Sequence, residues 1–276
     1  MSQTLSNVEQ IYFDSLVKAE YQSSGHLLRN TIRTRNDVIG AFVEFRKVGS
    51  VVAVPTAYLA AVTPQDPGYT KVSASLQKYT APTAVDEVQE LTVNFDTKME
   101  NAMLVAMALG RRADQICIDA LDANPGNTVA DGGTNFNYQK FIQINEFFDD
   151  NAVPHSERYV AMNASNRRSL LSDEQFISSR YTHNYAVESG EASYFLGFNM
   201  IVIPNMVEGG MPQTGNIDTV LAWNKQSTGM AIGENFRTEI NYIAQNTSWL
   251  INGIFSAGAV VIDNEGVMAI DCDTSV

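Results

Sequence analysis

From Val48 to Gln65 the chain carries no charged residue, and this stretch sits at the centre of a longer β-rich run. Ahead of it, Val38, Gly40, Phe42, Glu44 and Arg46 interleave with Ile39, Ala41, Val43, Phe45 and Lys47, so both faces start out apolar. Val51, Val52, Val54 and Tyr58 continue the run to Thr63-Pro-Gln-Asp-Pro-Gly68, a dense turn signal. The return leg reads through Val72, Leu76 and Tyr79, breaks at Ala81-Pro-Thr83 and resumes at Leu91-Thr-Val-Asn-Phe95. A hairpin this long exposes more apolar β structure than a self-contained domain tolerates, unless another surface covers it. The alternative is that the same strands fold back on a local sheet.

Composition agrees with a chain that buries surface against something else. Of 276 residues, 45% are hydrophobic and only 18% charged, which excludes intrinsic disorder. Lys and Arg number 18 against 31 Asp and Glu, a net charge of −13 that argues against a protein whose main task is gripping nucleic acid. Cys117 and Cys272 are too few for a disulfide framework and too far apart for a zinc-ligand pair. Cys117 falls in a helical pattern as a small core residue. The first residues show no basic segment leading into an apolar run. Val48–Gln65 is broken by Pro55, and 240–262 carries Asn241, Gln245, Asn246 and Asn252, so neither reads as a membrane span. A soluble protein of a reducing compartment is the expectation.

Around the hairpin the elements fall in a fixed order. Val8, Ile11, Tyr12 and Leu16 form a short amphipathic helix, followed by an arm with His26, Arg29, Arg33 and Arg35. The arm's arginines read as a solvated or ion-paired face, or as a contact with a polyanion. Thr97-Lys-Met-Glu100 has capping-box spacing. Behind it Met99, Ala102, Met103, Ala106, Leu109, Gly110, Ala113, Ile116, Cys117 and Ala120 share a helical face, until Asn124-Pro-Gly126 stops the helix. Spanning 97–123, it would be roughly 40 Å long. A Gly/Asn/Asp loop, a helix from Tyr138 to Asn151 with Tyr138, Phe141, Ile142, Asn145 and Phe148 inside, a strand at 158–162 and a polar helix at 164–171 follow. Residues 178–192 read as an exposed loop. Further strands are expected at 198–203, 220–223, 230–232, 238–243, 249–255, 259–262 and 267–270.

Catalytic chemistry has little to work with. His26, His155 and His183 show no metal-ligand spacing, and neither a nucleophile elbow nor a phosphate loop is present. The Asp149-Asp150 pair at a helix C-terminus is unfavourable against the dipole, with solvent exposure the plain reading and a metal or subunit contact the sharper one. Asp263, Asp271 and Asp273 form an acidic rim able to attract a cation. Arg111 and Arg112, followed by Asp114, are placed for local or intersubunit ion pairs. Asn163-Ala-Ser165 and Asn246-Thr-Ser248 match the glycosylation pattern, which has no meaning without a secretory route. No catalytic, cofactor-binding or metal site is assigned.

Four stretches carry a resemblance. They are the arm, Leu16-Val-Lys-Ala-Glu-Tyr-Gln22 into Leu28-Arg-Asn-Thr-Ile-Arg33; the helix end, Ala108-Leu-Gly-Arg-Arg-Ala-Asp-Gln-Ile-Cys-Ile-Asp-Ala-Leu121; Val153-Pro154 ahead of Arg158-Tyr-Val-Ala-Met162; and the strands around Phe195–Ile203, Gly258–Asp263 and Gly266–Ile270. In this order they resemble the major capsid proteins of tailed double-stranded-DNA phages with the Hong Kong 97 fold. The resemblance implies an α+β chain with an N-terminal arm at 1–36 and an extended loop at 37–95. It implies a peripheral domain of 96–124 plus 236–276 containing the spine helix 97–123, and an axial domain at 125–235. It implies a non-enzymatic shell protein of the virion head, assembled in the host cytoplasm as pentamers and hexamers around the genome. The expected partners are copies of itself, a separate scaffolding protein, a portal protein and decoration proteins, with only non-specific contact to packaged DNA, no membrane and no cofactor. Some relatives cross-link a lysine of the extended loop; Lys71 and Lys78 lie in that region, but no residue pattern assigns them the role. A bacterial encapsulin shell is the rival within the fold. A hydrolase with a site near His183 and Asp149-Asp150 is the rival outside it.

Overall fold

A computed structural model describes residues 25–87, 97–174 and 194–275. The expected helix at Val8–Leu16, the strand at Leu91–Phe95 and the loop at 178–192 with His183 lie outside the described residues. The strands are β1 (Arg33–Arg35), β2 (Phe42–Val48), β3 (Tyr69–Ser75), β4 (Gln77–Asp86), β5 (Asn127–Val129), β6 (Arg158–Met162), β7 (Tyr194–Phe195), β8 (Phe198–Val202), β9 (Gln213–Thr214), β10 (Ile217–Asn224), β11 (Thr228–Ile243), β12 (Ser248–Val261) and β13 (Val267–Asp273). The helices are α1 (Thr97–Ala123), α2 (Tyr138–Asp150) and α3 (Ala164–Ser172). No helix among the described residues is long and apolar enough to cross a membrane.

Three sheets organise the described residues: a four-stranded sheet in the order β1-β11-β12-β4, a seven-stranded sheet β5-β13-β10-β6-β8-β7 with β9 hairpinned onto β10, and the two-stranded ribbon β2-β3. The C-terminal half of α1 buries Leu109, Ala113, Ile116, Cys117, Ile118 and Leu121 in a core shared by both larger sheets, with Trp223, Met230 and Phe255 opposite. At its N-terminal half the buried residue is Val105, against Val85 and Ile251. Gly253 makes this approach possible, because a Cβ there would lie 2.4 Å from a Val105 methyl. Met99 and Met103, expected on the inner face, are instead 74% and 55% exposed, since the first turns of the helix carry them away from the sheet. The opposite face of the seven-stranded sheet packs under α2 and α3 through Phe136, Phe141, Ile144, Phe148 and Phe198.

Several strand boundaries differ from the sequence expectation. The segments expected at 230–232 and 238–243 are one strand, β11, which passes Gly233 by register shifts between Ile232 and Arg237 rather than a turn. Likewise 249–255 and 259–262 are one strand, β12. Pro82 does not break the return leg: it lies inside β4, opposite Asn252. As an edge strand, β4 has N–H groups facing away from its one neighbour and can accommodate proline. β13 pairs with β10 and β5, so the final strand completes the seven-stranded sheet, and residue 235 falls within β11.

Candidate assembly surface

β2 and β3 pair over Phe42–Val48 and Tyr69–Ser75, and the ribbon's base packs on the four-stranded sheet. Alternation decides what is covered. Val43, Phe45 and Ala74 point inward onto Ala231 and Ile262, while Phe42, Val48 and Tyr69 point out and are exposed. Lys47 ties the ribbon to the turn after β12 through a 2.7 Å ion pair with Asp263, whose hydrogen bond holds the lysine above its ordinary pKa. Lys71 pairs along the ribbon with Glu44 at 2.9 Å and pulls that carboxyl below its usual range. Lys78 lies exposed in β4.

Beyond the ribbon the apolar run extends from Gly49 to Gly68 without strand structure, closed by a 3.0 Å backbone bond from Gly49 to Gly68. Val51, Val52, Val54, Tyr58, Leu59 and Val62 are all exposed there, Tyr58 and Leu59 at 98%. Single exposed apolar residues are unremarkable, but six on one loop mark a surface that awaits a partner. The expected strand through Val51–Tyr58 is therefore absent, and no strand among the described residues pairs with it. Between β1 and β2 opens a cleft of about 870 Å³, lined by Arg33, Arg35, Asp37, Phe42, Phe45 and Arg46. It places two arm arginines and Arg46 around one concavity.

The arm itself is fastened. Asp114, on α1, accepts hydrogen bonds from the Leu27 and Leu28 amides, both at 3.1 Å. Burial pushes its carboxyl up while those amides pull it down. Trp223 Nε1 donates to the Thr31 carbonyl at 3.1 Å. His26 sits edge-on to Phe236, with its pKa lowered by burial against the opposing pull of Asp114. Asp114 thus serves the arm's backbone rather than the neighbouring arginines, and Arg112 lies over the Tyr79 ring, 4.7 Å from its centroid.

The other residues singled out in the sequence do not converge. Asp149 is not merely solvent-facing: it accepts from Arg158 at 2.9 Å and from Asn145 at 3.1 Å, with His155 Nδ1 3.8 Å away. Asp263 caps the turn at Asn264–Gly266, Asp271 accepts from Thr219, and Asp273 accepts from Ser275. No cluster of three metal-ligating side chains occurs among the described residues. Cys117 and Cys272 are buried, and burial raises both thiols, Cys272 to about 12. Asn163 is the N-cap of α3, accepting from the Asn166 amide and donating to Asp218. Sequence reasoning passed over Arg158 and Lys140, both buried cations. A cation within an otherwise apolar strand or helix face was the only signal available, and it does not distinguish a buried charge from a surface one.

The arrangement defines a class: an α+β shell subunit with a spine helix, an extended loop and the Hong Kong 97 type of phage capsid fold. In structure the chain is similar to the head of Helicobacter pylori bacteriophage KHP40, with a TM-score of 0.76 and 10% identity over 99% of this chain and 100% of that one. It is similar to Mycobacterium phage Che8, with a TM-score of 0.75 and 15% identity over 96% and 97%. It is also similar to the capsid of Ralstonia phage GP4, with a TM-score of 0.72 and 10% identity over 99% and 98%. No curated protein sequence matches. The profile of the phage capsid protein family covers residues 5–274, and the chain belongs to that family. That membership makes it a phage capsid protein.

Proposed function

We propose that the chain closes its shell as pentamers and hexamers around packaged double-stranded DNA, and that the 49–68 loop is the part that reaches across a neighbouring subunit. The observation that carries this reading is the row of exposed apolar side chains from Val51 to Val62 on a loop anchored only at its base. Covering such a row in a neighbour's groove removes it from water at roughly 25 cal/mol per Å². On this reading the arm comprises 1–36, the extended loop 37–95, the peripheral domain 96–124 plus 236–276 with the spine helix 97–123, and the axial domain 125–235. Arg33 and Arg35 supply at most a weak, salt-sensitive contact to packaged DNA, in keeping with the net −13. A separate scaffolding protein and a portal protein complete assembly in the host cytoplasm, and the role is structural rather than catalytic.

The test replaces Val51, Val52 and Val54 together by Ser. Stability of the isolated subunit should shift by less than about 0.5 kcal/mol per site, as expected for exposed positions. Shell yield, read by mass photometry and negative-stain imaging, should collapse. Normal shells from the triple variant would remove this loop from the assembly contact.

A further inference from the structure

β11 has two edges. β12 occupies one from Thr228 to Ile243. On the other, β1 covers Gly229–Ala231 and the Val38 amide reaches the Ile232 carbonyl at 3.1 Å. From Glu234 to Ile243 this second edge has no backbone partner among the described residues. The opposite margin of the same sheet is guarded, since β4 carries Lys78 and Pro82, residue types that discourage a further strand. The open part of β11 has no proline or lysine, and Ile240 and Tyr242 stand 46% and 44% exposed on it.

We propose that this edge is an interface between two copies of the chain, β11 pairing antiparallel with β11 of a second copy about a two-fold axis at Thr238. The register follows from the sequence of the edge, Phe236-Arg-Thr-Glu-Ile240. Centred on Thr238, antiparallel pairing sets Arg237 opposite Glu239 of the second copy, and Glu239 opposite its Arg237. It sets Phe236 opposite Ile240 and Thr238 opposite itself, all favourable cross-strand pairs. Both faces agree. Thr238 lies opposite Gly253, whose Cα faces Val105 and Leu109 of α1, so Thr238 and Ile240 share the face toward the spine helix. Arg237 and Glu239 share the other face, where Arg237 already contacts Glu234 and Glu239 of its own chain at 3.1 Å. A self-complementary patch is what a two-fold contact requires. This contact rests on the reading of the chain as a subunit that meets its own copies.

Two experiments on assembled shells decide it. Cys117 and Cys272 are buried, so Thr238→Cys introduces the one accessible thiol among the described residues. Mild oxidation of such shells should give a covalent dimer on a non-reducing gel. Charge supplies the second test. Arg237→Glu alone opposes acid to acid across the axis, and Glu239→Arg alone opposes base to base, so each variant should lose at least tenfold in shell yield. Mixing the two variants restores unlike charges across the axis but not within either chain, so the mixture alone should recover assembly. Shells whose new thiols stay free, or a mixture no better than its components, would overturn the contact and leave the shell reading standing. An unsubstituted chain that formed no particle with its assembly partners would overturn both.

Discussion

Two regions of this subunit solve burial in opposite ways. Under α2 even two buried cations are satisfied within the chain. Arg158 is fully buried between the Phe148 and Phe198 rings, and its donors reach the Pro154 and Val153 carbonyls, Asn145 and Asp149. Lys140 spends its three donors on the Asp131, Thr134 and Asp271 carbonyls at 2.8–2.9 Å. On the outer face of the ribbon and along its loop, apolar side chains are left uncovered. The seven-stranded sheet is thus a finished core, and the ribbon is a half-interface. A shell subunit needs both: one part that keeps its shape and one whose apolar surface is covered only on assembly.

The largest effect should come from breaking the finished side. Arg158→Ala removes a side chain that fills the space between two phenyl rings and takes the Arg158 donors from the Val153 carbonyl and from Asp149 Oδ1. Cavity and orphaned acceptors together put the loss at about 4 kcal/mol, read by chemical denaturation of dissociated subunits. A loss under 1 kcal/mol would show that Arg158 is a passenger in that core. Next in size is Gly258→Ala, at the seam between the regions. Its Cβ would fall 1.9 Å from the Ser75 carbonyl oxygen, a backbone atom at the end of the ribbon that cannot rotate away. Overpacking of this kind costs about 3 kcal/mol. The damage should localise, with amide exchange rising in β3 and β4 before β10 or β13.

The same division explains what was legible in the sequence. Helix α1 was readable because its stop signal, Asn124-Pro-Gly126, and its spacing agree, and α2 because Tyr138, Phe141, Asn145 and Phe148 recur at three- and four-residue steps. The outcome for Met99 and Met103 was not readable, since periodicity gives a helix its apolar face but not how far the underlying sheet extends. Pro82 looked like a break because a sequence does not say which strand lies at an edge. The gaps between the strands expected at 230–232 and 238–243, and at 249–255 and 259–262, contain Gly233, which sits beside a bulge, and Gly258, which sits where two backbones nearly touch. Arg158 was invisible because its partners, Asn145, Asp149 and two carbonyls, come together only once α2 turns into β6. That turn is a Schellman closure in which the amides of Ala152 and Val153 bond back to the Asp149 and Phe148 carbonyls, with Ala152 at φ 52°. The apolar loop was legible as a demand for cover, and it is uncovered within the single chain.

Smaller effects test how the half-interface is held. Lys47→Met removes the ion pair to Asp263, whose partners are each about one-third exposed, so the loss should stay below about 1 kcal/mol. The ribbon should remain docked, because Phe45 and Val43 anchor it. Ribbon amides that exchange freely in this variant would make the ion pair, not the apolar contacts, the fastener.

The smallest expected effect concerns the arm, where His26 meets Asp114, Arg29 and the Phe236 ring. Burial lowers the pKa of His26 from 6.5, so the detached arm binds a proton more readily than the docked one. Its contribution is therefore complete above pH 6.5 and is lost as the pH falls through the docked value. Asp114 acts with the opposite sign, in a window that opens at pH 3.8. Its raised carboxyl favours the docked arm below pH 3.8 and loses that advantage as the pH rises through the docked value. The two can be separated at the Leu27 and Leu28 amides, which bond to Asp114. After correction for intrinsic exchange rates, their protection should rise toward pH 6.5 and level off above it. His26→Asn should flatten the upper part of that rise while the ribbon amides keep their native protection. A profile that His26→Asn leaves unchanged would show that the arm's fastening does not sense this histidine.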